Sequence, residues 1–170
     1  VAAAGKVCDN FREIHCGDSS ETKIDRPSPS RSSMIIVTGG AGFIGSNLLA
    51  GLEAAGEDAL VVCDRLRDGR KWHNIAKRTL DDIVDPEKLI DFIDARRGHV
   101  AGVFHMGAIS ATTATDGDLV VKTNFAFSMA LWRTCAAHGI PFIYASSAAT
   151  YGDGGHGFDD DNNLEHMRAL

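Results

Sequence analysis

The residues Gly39-Gly40-Ala41-Gly42-Phe43-Ile44-Gly45 set glycines at two overlapping spacings, GxxGxxG from Gly39 and GxGxxG from Gly40. Such a run does chemistry by what it lacks: without side chains, backbone can approach an anionic group closely and aim N–H groups at it. Upstream, Met34-Ile35-Ile36-Val37-Thr38 is a short β-branched run of the kind that forms a buried parallel strand. Downstream, a helical pattern starts at once. Strand, glycine turn and helix N-terminus in that order suit a dinucleotide, with its pyrophosphate at the helix N-terminus and Phe43 and Ile44 covering the site. The competing reading is a turn whose glycines only let strand and helix pack closely; the flanking elements favour the dinucleotide.

A second group with chemical capacity follows the next apolar run. Asp64 lies about 20 residues beyond the glycines, where a carboxylate can accept hydrogen bonds from adenosine ribose hydroxyls, the pattern for NAD. Arg65, Arg67, Arg70 and Lys71 come directly after it, and such cations can neutralise the 2′-phosphate of NADP. The two cofactors stay open at this point, and so does the plainer reading of the four cations as a solvated loop.

The elements that must position these groups alternate along the chain. After the glycines, Ile44, Leu48, Leu52 and Ala55 recur at helical spacing and Gly56 marks the end of the helix. Leu60-Val61-Val62-Cys63 reads as a second strand and closes a βαβ unit. A weak strand is expected over residues 78–83. Asp85-Pro86 has the form of an N-cap followed by proline at the first helical position, with Leu89, Ile90 and Ile93 as the apolar stripe behind it. Val100 to His105 forms the next strand, a long helix is expected from about Leu119 to Ala137, Gly139 and Pro141 stop it, and Phe142 to Ala145 is a further strand. This alternation predicts an α/β fold, a Rossmann-type doubly wound parallel sheet.

Composition narrows the partners. Among 170 residues, 23 acids outweigh 17 Lys and Arg for a formal charge of −6, with no basic run able to track a phosphate backbone, which argues against nucleic acid. No apolar stretch approaches the length of a membrane span or a secretory h-region, so a soluble cytoplasmic protein is expected. The four cysteines, Cys8, Cys16, Cys63 and Cys135, contain no CxxC pair and read as reduced thiols. Cys8, His15 and Cys16 lack a fourth ligand at finger spacing, so no metal is expected. Residues 1–33 are polar and aperiodic and are expected to be a disordered leader, with the natural start at Met34, the first methionine. Residues 34–170 are the expected NAD(P)-binding domain.

Three further segments complete the pattern: Phe104-His105-Met106-Gly107-Ala108, Asn124 in the long helix, and Tyr144-Ala145-Ser146-Ser147-Ala148-Ala149-Thr150-Tyr151-Gly152. With the glycine run they resemble the extended short-chain dehydrogenase/reductases, the NAD-dependent epimerase/dehydratase group. Asp64 to Trp72, Ala111 to Gly117 and the Ser146 to Gly152 run look most like the ADP-glyceromanno-heptose 6-epimerase family. The likeness runs from Met34 to Leu170 and corresponds to the N-terminal half of such an enzyme, so the Rossmann domain is expected to be incomplete, its C-terminal part missing.

The resemblance implies a set of roles. Gly39, Gly42, Phe43, Ile44 and Gly45 would line the cofactor; Asp64, Arg65 and Lys71 would surround the adenosine ribose; Gly107, Ala108, Ile109 and Ser110 would pass beside the nicotinamide half, with Asn124 supporting that wall. Ser147 would be the catalytic serine that hydrogen-bonds the reacting sugar hydroxyl, although Ser146 and Ser147 read without the resemblance equally as a strand-end cap. His105, set among Val103, Phe104 and Met106, reads as a packed core residue rather than a general base. His73, His99, His138, His156 and His166 show no metal spacing, and Asp159-Asp160-Asp161 reads as a solvated loop.

For a complete enzyme the resemblance implies an isomerase of lipopolysaccharide-precursor metabolism, a homo-oligomer using NADP, with NAD as the alternative. It would interconvert ADP-D-glycero- and ADP-L-glycero-manno-heptose by oxidising a sugar carbon to a transient ketone and returning the hydride to the opposite face. The family moves the proton with a tyrosine and a lysine four residues later. Here Ala148 follows Tyr144 at that distance and Gly155 follows Tyr151, so this chain is expected to be an inactive fragment. The alternatives are another nucleotide-sugar epimerase or dehydratase, or a non-catalytic, redox-sensing NAD(P)-binding protein.

Overall fold

The computed structural model describes residues 33–67, 69–158 and Glu165. Most of the expected leader, the Cys8, His15 and Cys16 group, and the Asp159-Asp160-Asp161 run lie outside the described residues.

Five strands, β1 (Met34–Thr38), β2 (Leu60–Cys63), β3 (Asp82–Val84), β4 (Val100–His105) and β5 (Phe142–Tyr144), form one sheet in the order β3-β2-β1-β4-β5. Every neighbouring pair is parallel. The chain therefore begins in the middle, builds outward to β3, and then crosses back to the other side of β1. That reversal opens a crevice at the carboxyl ends of β1 and β4, as a doubly wound sheet requires.

Alternation along β1 shows why both faces are covered. Ile36 packs with Val61, Val103, Leu89, Ile93, Leu131 and Cys135 on one face, under α2 (Leu89–Arg96) and α4 (Phe127–His138). Ile35 and Val37 point the other way and pack with Leu60, Val62 and Phe104 under α1 (Phe43–Ala54). Leu49 and Leu131, one in each layer, are fully buried; burial of such a side chain contributes about 1.5–3 kcal/mol.

Three expectations need correction. Of the expected stripe on α1, Leu52 is buried and Leu48 packs partly buried against the core, but Ile44 and Ala55 are exposed, and Gly45 and Leu49 complete the buried face. Gly45 must face inward because only a residue without a side chain lets the helix approach the glycine turn, and this turns Ile44 outward. The third strand spans Asp82–Val84 and not residues 78–83, its register set by pairing of Val84 with Cys63. The last strand ends at Tyr144, one residue short of Ala145.

Other local expectations hold. Asp85 caps the turn of 3-10 helix at Pro86–Lys88 through its side chain, which accepts from Glu87 N–H at 3.1 Å. The long helix is built of α3 (Gly117–Val120), a π-helical stretch Val121–Ala126, and α4. It ends on Gly139 in the left-handed conformation (φ 64°).

Candidate functional site

A cleft of about 940 Å³ opens along the carboxyl ends of β2, β1 and β4. Twelve residues expected at the site line it: Gly39, Gly42, Phe43, Ile44, Gly45, Asp64, Arg65, Lys71 and the run Gly107 to Ser110. Asn124 and Ser147 are not among the lining residues.

The floor is the glycine turn. Gly39 has φ +65°, and a Cβ there would sit 2.7 Å from the Gly107 Cα, so the loops after β1 and β4 touch backbone to backbone. A Cβ on Gly45 would sit 2.3 Å from the Gly39 carbonyl oxygen. The Gly42 N–H closes the turn onto that same oxygen at 2.9 Å. No side chain caps α1 and no acid stands in its first turn. The positive end of the helix is thus available to an anion, and the glycine cradle fits a diphosphate. Phe43 and Ile44 are 83% and 61% exposed, apolar side chains standing over the cleft.

The β2 side carries the charges. Asp64 is buried; its Oδ2 accepts from the Ala41 N–H at 2.9 Å and its Oδ1 pairs with Lys71 Nζ. Asn74, in the 3-10 turn Lys71–Asn74, donates from Nδ2 to the Ala41 carbonyl at 2.8 Å. The Ala41 peptide is therefore held at both its polar groups, and the carboxylate meets its cation at the cleft wall. Arg65 pairs with Glu87, and the guanidinium hydrogen bond pulls the Glu87 carboxyl down to about 2. Cys63 also lines the cleft, but burial pushes its thiol up to about 12, so it stays protonated and is no nucleophile.

The β4 side is neutral and tightly bonded. Asn124, on the π-helical stretch, accepts from Ile109 N–H through Oδ1 at 2.8 Å and donates to the Ile109 carbonyl through Nδ2 at 2.9 Å. Thr38 Oγ1 accepts from Gly107 N–H at 3.1 Å and lies 2.6 Å from His105 Nδ1. His105 is buried, as expected of a core histidine, and burial lowers its proton affinity. Ser147 is exposed and caps the 3-10 turn Ala148–Tyr151, its Oγ accepting from Ala149 N–H at 3.3 Å.

Sequence reasoning did not single out Thr38, Asn74, Glu87 or Ser128, nor Lys122 and Thr123 on the cleft wall. Thr38 carried one usable signal, a hydroxyl at the last position of a buried apolar strand directly before the glycines. Asn74 and Ser128 carried none, since the Ala41 carbonyl and the His105 imidazole that they meet lie 33 and 23 residues away.

Residues 35–169 match the NAD dependent epimerase/dehydratase family. The chain belongs to that family. It is 44% identical over 139 residues to an ADP-L-glycero-D-manno-heptose-6-epimerase of Fusobacterium nucleatum, covering 81% of this chain and 42% of that protein. The corresponding enzyme of Alkalilimnicola ehrlichii is 48% identical with the same coverage. The crystal structure of the Helicobacter pylori ADP-L-glycero-D-manno-heptose-6-epimerase superposes with a TM-score of 0.59 at 29% identity, over 78% of this chain and 43% of that one. The chain thus spans about two fifths of the length of these epimerases. The match to the NAD dependent epimerase/dehydratase family covers the cleft in full. Among the described residues no helix is long and apolar enough to cross a membrane, and no cluster of three metal-ligating side chains occurs.

Proposed function

We propose that this chain is the cofactor-binding part of an ADP-glyceromanno-heptose 6-epimerase and that it takes NADP. The observation carrying the cofactor choice is the engagement of the Asp64 carboxylate by Ala41 N–H and Lys71. A carboxylate so neutralised does not repel a 2′-phosphate, and Arg65 and Arg67 line the same wall to receive it. The glycine turn and the uncapped end of α1 would hold the diphosphate, with Phe43 and Ile44 over it. Gly107 to Ser110, braced by Asn124, would border the nicotinamide. When bound, that ring supplies the chemistry by taking a hydride from a sugar carbon and returning it.

The likeness to the heptose epimerases supports ADP-heptose as the substrate of the complete enzyme, a cytoplasmic homo-oligomer. Ser147 would then hydrogen-bond the reacting hydroxyl once substrate is bound. Neither tyrosine of this sequence has a lysine four residues on, so this chain alone binds cofactor without turnover. Titration calorimetry of the purified chain tests the first part: NADP is expected to bind more tightly than NAD, and equal or reversed affinities would overturn the cofactor choice. Product analysis tests the second. The parent enzyme should epimerise ADP-heptose, this chain should not, and a parent acting only on a UDP-sugar would overturn the substrate.

A further inference from the structure

We propose that His105 is a positioning residue that holds the nicotinamide-side wall of the cleft in place through two hydroxyl groups. The proposal rests on the dinucleotide reading above. A dinucleotide anchored at Asp64 and crossing the glycine turn at β1 brings its second half to the loop after β4. Beyond Met106, whose N–H bonds the Thr38 carbonyl at 3.2 Å, that loop is held by Gly107 N–H on Thr38 Oγ1 and by the Ile109 peptide on the Asn124 amide. His105 connects them.

The directions of the hydrogen bonds are determined by counting protons. Ser128 Oγ gives its single hydrogen to the Asn124 carbonyl at 2.9 Å, so at 2.6 Å it must accept from His105 Nε2–H. The neutral ring then has a bare Nδ1, which accepts the Thr38 hydroxyl hydrogen at 2.6 Å and leaves the Thr38 oxygen free to receive Gly107 N–H. A hydrogen-bonded chain runs from Gly107 through Thr38, His105 and Ser128 to the Asn124 backbone carbonyl, and the side chain of that same residue holds Ile109. The groups facing the imidazole are Thr38 from β1, Ser128 and the Phe127 ring from α4, and the Phe142 ring from β5, with ring centroids 5.7 and 5.8 Å away. Among the described residues no charged neighbour acts on its proton affinity; burial does. A proton added at Nδ1 would make both ring nitrogens donors and leave the Thr38 hydroxyl hydrogen without an acceptor.

The experiment compares NADP with 2′,5′-ADP, which carries only the adenosine half and does not reach the β4 loop. In Thr38→Val and His105→Phe, NADP affinity is expected to fall about tenfold, the effect of stranding one buried hydrogen-bonding group, while 2′,5′-ADP affinity is unchanged. Thr38→Ser, which keeps the hydroxyl, should restore NADP binding. In the unaltered chain the ratio of NADP to 2′,5′-ADP affinity should hold through the ordinary histidine range and decline only at lower pH, where the buried ring takes up its proton, and in His105→Phe it should be flat. Equal weakening of both ligands, or weakening of neither, overturns the positioning role. Thr38→Val is isosteric and answers the question if His105→Phe does not fold. An unaltered chain that binds neither ligand fails differently, because it overturns the dinucleotide reading itself.

Discussion

Asn124 meets both polar groups of the Ile109 peptide with one side-chain amide, Oδ1 on the N–H at 2.8 Å and Nδ2 on the carbonyl at 2.9 Å. The π-helical stretch Val121–Ala126 holds it there, and no other part of the helix bonds to this loop through a side chain among the described contacts. Asn124→Ala should lower stability by about 1–3 kcal/mol, since two partly buried backbone groups lose their partner. Urea denaturation gives the magnitude, and faster amide exchange at Ile109 would localise it. Asn124→Asp retains the acceptor and should protect the Ile109 N–H better than alanine does.

Gly45→Ala is expected to disable the cleft with little change elsewhere. The new Cβ would meet the Gly39 carbonyl at 2.3 Å and the Gly40 Cα at 2.7 Å, both of them backbone and unable to swing aside. The loop must shift, which costs about 1–3 kcal/mol as overpacking does. NADP titration should show binding lost while circular dichroism stays that of the folded chain.

Lys71→Ala leaves Asp64 as an unpaired carboxylate at the edge of the cleft. Its charge would then repel a 2′-phosphate and favour ribose hydroxyls. The ratio of NADP to NAD affinity should drop about tenfold, the size of one charge-assisted hydrogen bond. Parallel titrations with the two cofactors measure it, and an unchanged ratio would remove Lys71 from cofactor discrimination.

Stability should depend on pH through His105. Its proton affinity in the folded chain lies below the ordinary value of 6.5, which the unfolded chain retains. Below pH 6.5 the unfolded state takes up a proton that the folded state refuses, so stability falls as the pH drops toward the folded-state value and is fully present above 6.5. Urea midpoints between pH 5 and 8 for the unaltered chain and His105→Phe should separate this contribution from the titration of carboxylates.

Cys63 and Cys135 should resist thiol reagents in the folded state. Burial raises them to about 12 and about 11, so little thiolate exists near neutral pH. Timed alkylation followed by peptide mass mapping should label both only after denaturant is added. Rapid labelling of Cys63 without denaturant would show that the cleft wall at β2 opens.

How far these features were legible follows from the range over which each one acts. The glycine turn, the strands around it and the Asp85-Pro86 cap depend on neighbours in the chain, so residue type and spacing suffice to read them. Asp64 and Lys71 were legible as chemistry, but not as partners of each other, because a loop of intervening residues returns only in the folded turn Lys71–Asn74. β3 is a harder case: Asp82 and Ile83 are exposed, and only Val84 carries the burial signal, so its position comes from pairing with β2.

His105 marks the same boundary most clearly. A histidine in an apolar strand was readable from the sequence alone as a buried core residue. That it joins Thr38 to Ser128, from 67 positions upstream and 23 downstream, follows only once β1, β4 and α4 are packed together. The sequence by itself determined an alternating α/β chain with a glycine turn built for an anion, because backbone preference and hydrophobic period are local. Tertiary structure alone decided which face of α1 is buried, which partners neutralise Asp64 and how the loop after β4 is held. Those depend on side chains brought within hydrogen-bonding distance by a crossover that no spacing in the sequence encodes.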